Sequence, residues 1–236
     1  MSIRPLSEFP AARRAAIGFV LFDIDDTLTT DGRLSAAAYA ALEDLSRRGL
    51  RVIPVTGRPA GWCDLIARFW LSAGERDAAR RRLDRLAEEI LAAVPGARLA
   101  ADQPYRVADL AIDFAEDTGP LPSAEIDRIV ALMHAPGAMA KVSSIHVNGW
   151  FGDWDKLAMT RRLFREIYGI DLDQERDTVA FIGDSPNDEP MFAYFPLSVG
   201  VANVRPFLPR MRSLPAYVTE AAAGDGFVEF AAILLS

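Results

Sequence analysis

Three short apolar runs divide the chain, and each is followed at once by a polar turn. The runs are "IGFVLFD" at 17–23, "RVIPVTG" at 51–57 and "TVAFIGD" at 178–184. Their length, their β-branched content and their continuous apolar character predict strands that are buried on both faces of a sheet. Shorter runs at 197–202 and 216–220 are predicted to add further strands.

Helical patterns alternate with these strands. One helix is predicted between about 35 and 49, where Tyr39, Leu42 and Leu45 recur at helical spacing, and another from about Asp155. Alternating strands and helices predict a parallel sheet with right-handed crossovers, and such sheets bind ligands beyond the carboxyl ends of their strands. We therefore expect Asp23, Thr56 and Asp184 to lie along one edge of the sheet.

The pattern changes between about residues 61 and 153. Four elements are predicted there, namely helices at about 75–94 and 122–134 and strands at 105–114 and 139–152. The arginine run at 80–82 is interpreted as the solvated face of its helix. The sequence thus predicts an α/β fold in which residues 1–60 and 154–236 form a discontinuous core and residues 61–153 form an inserted α+β domain.

The composition indicates which kinds of molecule the protein is expected to bind. The 236 residues carry a formal net charge of −7, which argues against a surface for nucleic acid or anionic membranes and favours a small molecule. Cys63 is the only cysteine, so an intrachain disulfide is impossible and a reducing compartment is expected. With no segment long enough to span a bilayer, a cytoplasmic protein is predicted. The sequence leaves open whether it is a monomer or a homodimer.

The candidate chemistry begins with "DIDDT" at 23–27, where three carboxylates follow a buried strand. Like charges this close repel one another unless a cation or a proton lies between them. Taken alone, the segment could be an acidic turn, Thr56 a strand exit and Asp188 a helix cap. Their occurrence together with Lys156 and Asp184, in order and at predicted element ends, favours one shared functional site over local coincidence.

These segments resemble the motifs of the haloacid-dehalogenase (HAD) superfamily of phosphohydrolases. "DIDDT" fits the DxDxT motif, Thr56 lies in "VTGR", Lys156 begins a helix, and "GDSPNDEPM" at 183–191 fits GDxxND. The long insertion between the second and third motifs is similar to the cap of the Cof-like subfamily, which includes sugar phosphatases and resembles phosphomannomutase. The similarity extends to "VGVANVRP" after the last motif. It implies a Rossmann-like parallel-sheet HAD core with an inserted α+β cap.

The resemblance also implies a metal and a reaction. Mg²⁺ would be held by the Asp23 carboxylate, the Asp25 backbone carbonyl and Asp184, with Asp188 supporting the metal. Asp23 would attack phosphorus, and Asp25 would act as general acid and then as general base.

The remaining motif residues are assigned supporting roles by the same resemblance. Thr56 would donate a hydrogen bond to the transferring phosphoryl group, and Lys156 would place a cation against it. Gly57 and Asn187 would support the loops. Asp26 is predicted to lie outside catalysis, because the family commonly has glycine at that position.

Candidate substrate contacts come from the inserted domain and its border. Alternation places Ser144, His146 and Asn148 on one face of the insert's last strand, where they would contact the leaving group of the substrate. The alternative is a polar face that is simply hydrated. Arg58 and Arg106 are further candidates for contacts with an anion.

Three functions are compatible with these observations. The first is a Mg²⁺-dependent phosphatase that acts on a small phosphorylated metabolite, a sugar or polyol phosphate, through an aspartyl-phosphate. The second is a mutase or phosphotransferase similar to phosphomannomutase. The third is a catalytically silent binding protein, against which the intact set of Asp23, Asp25, Lys156 and Asp184 argues.

Overall fold

The structure is a computed structural model that describes these stretches of the chain: residues 3–56, 73–143, 145–153 and 155–236. It divides into two compact units. One unit comprises Met1–Thr56 with Asp155–Ser236, and the other comprises Gly57–Trp154.

Four residues discussed in the sequence analysis lie outside the described stretches, namely Gly57, Arg58, Cys63 and Ser144. The roles expected for Gly57, Arg58 and Ser144 therefore stay predictions.

A parallel sheet forms the centre of the first unit. Elements are numbered in chain order through the whole molecule. In spatial order the described strands are β1 (Arg4–Pro5), β10 (Tyr217–Val218), β9 (Leu197–Gly200), β8 (Val179–Gly183), β2 (Phe19–Phe22) and β3 (Arg51–Pro54). Every neighbouring pair is parallel. The five predicted core strands and the parallel α/β class are confirmed. The burial on both faces predicted for the strand at 51–57 was wrong, because β3 lies at the edge of the described sheet and its residues are partly or fully exposed. The two-residue β1 was not predicted because it is too short to show a period.

The register of this sheet brings the motif strands to a common edge. Phe22, the last residue of β2, pairs with Ile182 on one side and Pro54 on the other. The Asp23 N–H then donates to the Ile182 carbonyl at 3.0 Å. Asp23 and Asp184 consequently leave adjacent strands at their carboxyl ends.

Helices cover this sheet. They are α1 (Ala11–Arg14), α2 (Ala36–Arg47), α5 (Lys156–Leu163), α6 (Leu172–Glu175), α7 (Glu189–Tyr194) and α8 (Ala223–Leu235). Helix α2 starts at a Ser35 cap, whose Oγ accepts from the Ala38 N–H at 3.1 Å. Its buried face is formed by Ala38, Ala41 and Leu45, whereas Tyr39 is 55% exposed. The hydrophobic spacing therefore predicted the helix but placed Tyr39 on the wrong face.

The two faces of the sheet bury separate clusters. Phe22 and Ile182 pack in one cluster with Phe227 of α8. Leu21 and Phe181, the preceding residues of the same strands, pack in the other with helical and loop side chains. Burial on both faces explains why these strands are continuously apolar. Among the helices of the described stretches, none is both long and apolar enough to cross a membrane.

The second unit contains an antiparallel sheet and two long helices. Its described strands, in spatial order, are β4 (Arg98–Leu99), β5 (Asp109–Asp113), β7 (His146–Trp150) and β6 (Met139–Val142), and its helices are α3 (Ala73–Ala93) and α4 (Ser123–His134). Leu110, Ile112 and Val147 face the core with side chains of both helices. The strand predicted at 105–114 is confirmed over Asp109–Asp113, where Ala111 and Asp113 on the other face are buried as well.

One strand prediction for this unit was wrong. The run at 139–152, expected as one strand, is a hairpin in which Met139 pairs with Trp150 and Val142 with Val147. Ser143 closes the turn, since its N–H donates to the His146 carbonyl at 2.8 Å and its Oγ accepts from the His146 N–H at 2.9 Å. The turn lacks glycine and proline, so the sequence carries no strong signal of reversal there.

Candidate active site

The loop after β2 makes a wide turn that starts at Asp23. The Asp23 carboxylate caps it, with Oδ1 accepting from the Ile24 N–H at 2.9 Å. The turn closes where the Thr29 N–H and Oγ1 donate to the Ile24 carbonyl at 2.9 and 3.0 Å. Within it Asp25 is extended, whereas Asp26 has a left-handed φ of 51°. Glycine adopts this conformation most easily, which explains the glycine expected at this position from the resemblance.

Lys156 is placed between two carboxylates. It begins α5, directly after an Asp155 cap. Its Nζ lies 2.9 Å from Asp23 Oδ2 and 2.8 Å from Asp188 Oδ1, and it donates to Asn187 Oδ1 at 3.2 Å. One largely buried ammonium thus joins the first and last motifs, which are far apart in the sequence.

The loop after β8 depends on a close approach between Gly183 and Asp188. Asp188 is fully buried, and its Oδ2 accepts from the Asp184 N–H at 3.0 Å and from the Ser185 N–H at 3.4 Å. A Cβ at position 183 would lie only 2.3 Å from Asp188 Oδ2. The "GDSPND" motif therefore needs its glycine for space, a requirement that the sequence alone did not reveal.

Three carboxylates meet at this edge of the sheet. Asp23, Asp184 and Asp188 are all buried, and each offers an oxygen within 4.8 Å of the others. Thr27 Oγ1 lies 3.5 Å from Asp184 Oδ1. Carboxylate oxygens in such a group are the ligands that Mg²⁺ prefers. The donor set thus fits a divalent cation.

The pKa shifts of the clustered residues also indicate a site for a cation. Burial raises the pKa of Asp23 to about 7, against the lowering effect of Lys156 and with a further increase from Asp188. Burial, together with the charges of Asp188 and Asp23, raises the pKa of Asp184 well above its usual range. Burial disfavours the Lys156 ammonium, yet the two carboxylates outweigh it and raise the lysine pKa. Three carboxylates face one ammonium, so a cation is needed for all of them to ionise.

Two other predicted residues lie at the same edge. Asp25 is partly exposed on the turn that follows Asp23. Thr56 is also partly exposed and follows β3 by two residues, next to the strand that carries Asp23. The first unit thus gathers Asp23, Lys156, Asn187, Asp184 and Asp188 in contact and places Asp25 and Thr56 at the same edge of the sheet.

Two features of this site were not predicted. Thr27 contacts Asp184, and Gly183 makes room for Asp188. Both occupy motif positions, so the signal was present in the pattern, but the reason for each appears only when the loops are brought together.

Arg106 in the second unit is not available to an anion. Its side chain is 2% exposed, and Nε and Nη2 donate to the two oxygens of Asp102 at 2.8 and 2.9 Å. Nη1 donates to Asp109 Oδ2 at 2.5 Å and to Asn148 Oδ1 at 3.3 Å. The prediction of an anion contact at Arg106 was wrong, because the sequence did not show that two carboxylates would be folded onto it.

His146 and Asn148 share one face of β7, opposite Val147, as the alternation predicted. His146 is buried, and its Nε2 lies 2.8 Å from Glu116 Oε2. Burial lowers the pKa of His146, outweighing the effect of Glu116, so a neutral imidazole is favoured. A substrate contact from either residue stays a prediction.

Comparison with known proteins identifies the fold. No protein-family model and no curated protein matches the chain. Among solved structures, a Thermoplasma acidophilum protein is similar with a TM-score of 0.67 and 17% identity, covering 93% of this chain and 99% of its own. A Plasmodium vivax protein described as a HAD/COF-like hydrolase has a TM-score of 0.64 and 17% identity, with coverage of 94% and 97%.

A third similar structure is the sucrose-phosphatase of a Synechocystis species, in complex with sucrose and phosphate. Its TM-score is 0.65 and its identity 16%, and the match covers 92% of this chain and 97% of that one. The sheet and its carboxyl-end loops define a Rossmann-like α/β protein. More particularly, the chain has the fold of the HAD/COF-like hydrolases, and the resemblance read from the sequence is confirmed at the level of the fold.

Proposed function

We propose that this protein is a Mg²⁺-dependent phosphatase that hydrolyses a small phosphorylated metabolite, a sugar or polyol phosphate, through an aspartyl-phosphate on Asp23. The observation that carries the proposal is the contact of Lys156 with Asp23 and Asp188 beside Asp184, in a buried cluster at the strand ends. The similar fold of a sucrose-phosphatase supports the class of substrate.

The buried carboxylates fit a resident Mg²⁺. Asp23, Asp184 and the Asp25 carbonyl would hold it, and Asp188 would support it. When bound, the ion supplies positive charge to the phosphate oxygens and to the carboxylates that hold it.

Asp23 is the proposed nucleophile. Phosphate monoesters react extremely slowly in water, so an enzyme must position the attacking group in line and balance charge. Asp23 Oδ1 is fixed by the Ile24 N–H and Oδ2 by Lys156, so the carboxylate is oriented before substrate arrives. An Asp23 oxygen forms a bond to phosphorus as the bond from phosphorus to the leaving oxygen breaks.

Asp25 is the proposed general acid and base. It gives its proton to the leaving oxygen, which departs as an alcohol. It then takes a proton from water, whose oxygen attacks phosphorus and releases phosphate and the free Asp23 carboxylate. Thr56 and Lys156 would hydrogen-bond the phosphoryl oxygens in both steps.

A screen of phosphorylated metabolites tests the proposal. The purified protein is incubated with sugar and polyol phosphates, with Mg²⁺ or with a chelator, and free phosphate is measured. Release that requires both Mg²⁺ and Asp23 is expected. No release from any member of the panel, or release that the Asp23→Asn variant retains, would overturn it. An isomerised sugar phosphate without free phosphate would favour the mutase.

A further inference from the structure

Asn203 joins two loops that are distant in the sequence. It lies in the helical turns Ala202–Arg210 that follow β9. Its Nδ2 donates to the Asp26 carbonyl at 3.0 Å, and its Oδ1 accepts from the Ala223 N–H at 2.9 Å. Both amide atoms therefore bind backbone, one in the turn that carries Asp25 and one at the start of α8.

Both residues that Asn203 holds are in the left-handed region. The φ of Asp26 is 51° and that of Ala223 is 49°. A residue with a Cβ is strained in this conformation, so surrounding contacts are needed to hold it there. The Asn203 side chain supplies one such contact to each residue.

A second contact fixes the same turn against α8. The Gly224 N–H donates to Thr30 Oγ1 at 3.2 Å. A Cβ on Gly224 would lie 2.9 Å from the Leu28 carbonyl oxygen, so the start of α8 approaches the turn closely. The turn is thus held against the start of α8, and the Asn203 side chain reaches the residue next to Asp25.

We propose that Asn203 is a positioning residue for Asp25. By fixing the Asp26 conformation, it sets the direction in which the preceding Asp25 side chain leaves the turn, and so aligns that carboxyl group with the leaving oxygen. This inference rests on the proposed function, in which Asp25 donates that proton.

The leaving group provides a specific test. An alkoxide needs the proton from Asp25, whereas p-nitrophenolate is a stable anion and departs without it. For Asn203→Ala we expect kcat/KM on glycerol 3-phosphate to fall about tenfold to a hundredfold, and on p-nitrophenyl phosphate less than about threefold. The ratio of the two values is unaffected by any loss of folded protein, so it remains informative if the variant is unstable.

Two further variants sharpen the test. Asn203→Asp retains an oxygen acceptor for the Ala223 N–H but loses the donor to the Asp26 carbonyl, so it should show the same selective loss. Arg205→Ala is the matched control, because Arg205 lies in the same segment and donates from Nη2 to the Thr219 carbonyl at 3.0 Å, away from the turn. Any effect of this variant on kcat/KM should be the same for both substrates.

Combination with Asp25→Ala completes the experiment. If Asn203 acts through Asp25, adding Asn203→Ala to Asp25→Ala should cause no further loss on glycerol 3-phosphate. An unchanged substrate ratio in Asn203→Ala, or fully additive losses in the double variant, would overturn the inference while leaving the phosphatase intact. If glycerol 3-phosphate is not hydrolysed, the alkyl phosphate that is hydrolysed best in the metabolite panel takes its place. Release from no member of that panel would refute the proposed function, and the role of Asn203 with it.

Discussion

The Lys156 ammonium is held in place by contacts with two loops. The lysine side chain is 12% exposed, and its ammonium contacts two carboxylates from different loops, Asp23 at 2.9 Å and Asp188 at 2.8 Å. A buried ion pair contributes little net stability, but removing one partner leaves the other charge uncompensated. The lysine is therefore expected to matter for folding as well as for catalysis.

Replacing Lys156 with Met should abolish turnover and lower the free energy of unfolding of the metal-free protein by about 3–5 kcal/mol. Urea unfolding with and without Mg²⁺ measures this, and the ion should restore part of the loss. Arg47→Met is the control, because Arg47 pairs with Glu43 on an exposed helix face and should cost little. Equal stability of the Lys156 and Arg47 variants would contradict the role of Lys156 in compensating the Asp23 and Asp188 carboxylates.

Replacing Asp23 with Asn should abolish phosphate release and leave the fold intact. The amide is nearly isosteric but is not a nucleophile, and it removes one of the mutually repelling carboxylates. Activity is read by phosphate release, and the fold by circular dichroism and thermal unfolding. Near-normal Mg²⁺-dependent activity in this variant would remove Asp23 from the mechanism.

At the scale of elements, the site is made by strand ends that the parallel sheet aligns. Gly183, the last residue of β8, controls how closely the following loop folds back, because Asp188 occupies the space of a Cβ there. Gly18 precedes β2 and has nothing within 4 Å of its Cβ position. A Cβ therefore has space at Gly18 but not at Gly183, although both glycines flank central strands.

Gly183→Ala should displace the Asp188 carboxylate from the Asp184 N–H, lower activity by about a hundredfold and destabilise the protein by about 1–3 kcal/mol. Gly18→Ala should change neither quantity appreciably. Steady-state kinetics and urea unfolding of the two variants provide the comparison. If both alanines are tolerated equally, the close approach at Gly183 is not a constraint.

At the scale of the whole molecule, the buried acidic cluster should couple stability to pH and to Mg²⁺. Asp23 has a folded-state pKa of about 7 against an ordinary value of 3.8. Between these values the folded protein binds more protons than the unfolded chain, so metal-free stability should fall as pH rises through this window. Mg²⁺ needs the ionised carboxylates, so its stabilising effect should grow over the same window.

Thermal unfolding at about pH 5.5 and about pH 8, with Mg²⁺ or a chelator, measures this coupling. The increase in Tm caused by Mg²⁺ should be larger at the higher pH. Asp184→Asn should reduce that increase and raise the Tm of the metal-free protein, because it removes one repelling charge. A Mg²⁺ effect that is independent of pH, or unchanged by the Asp184 substitution, would contradict a metal site in this cluster.

The central strands and the motif residues could be predicted because their signals are local. A buried parallel strand is apolar along its whole length, and a carboxylate at its end is visible in the same short segment. The hairpin at Met139–Trp150 was missed because nothing in its turn resembles a reversal, and Tyr39 was misplaced because helical spacing does not say which apolar residues meet the core.

The amino-acid sequence by itself determined the α/β class, the order of the motifs and the strand ends at which acidic side chains emerge, since these follow from short-range periodicity and turn chemistry. Only the tertiary structure decided which charges meet. Lys156 bonds Asp23 and Asp188, Arg106 is occupied by Asp102 and Asp109, and Asn203 reaches Asp26. Two of these contacts, Lys156 with Asp23 and Asn203 with Asp26, join residues more than a hundred positions apart, and such pairings depend on how the whole chain packs.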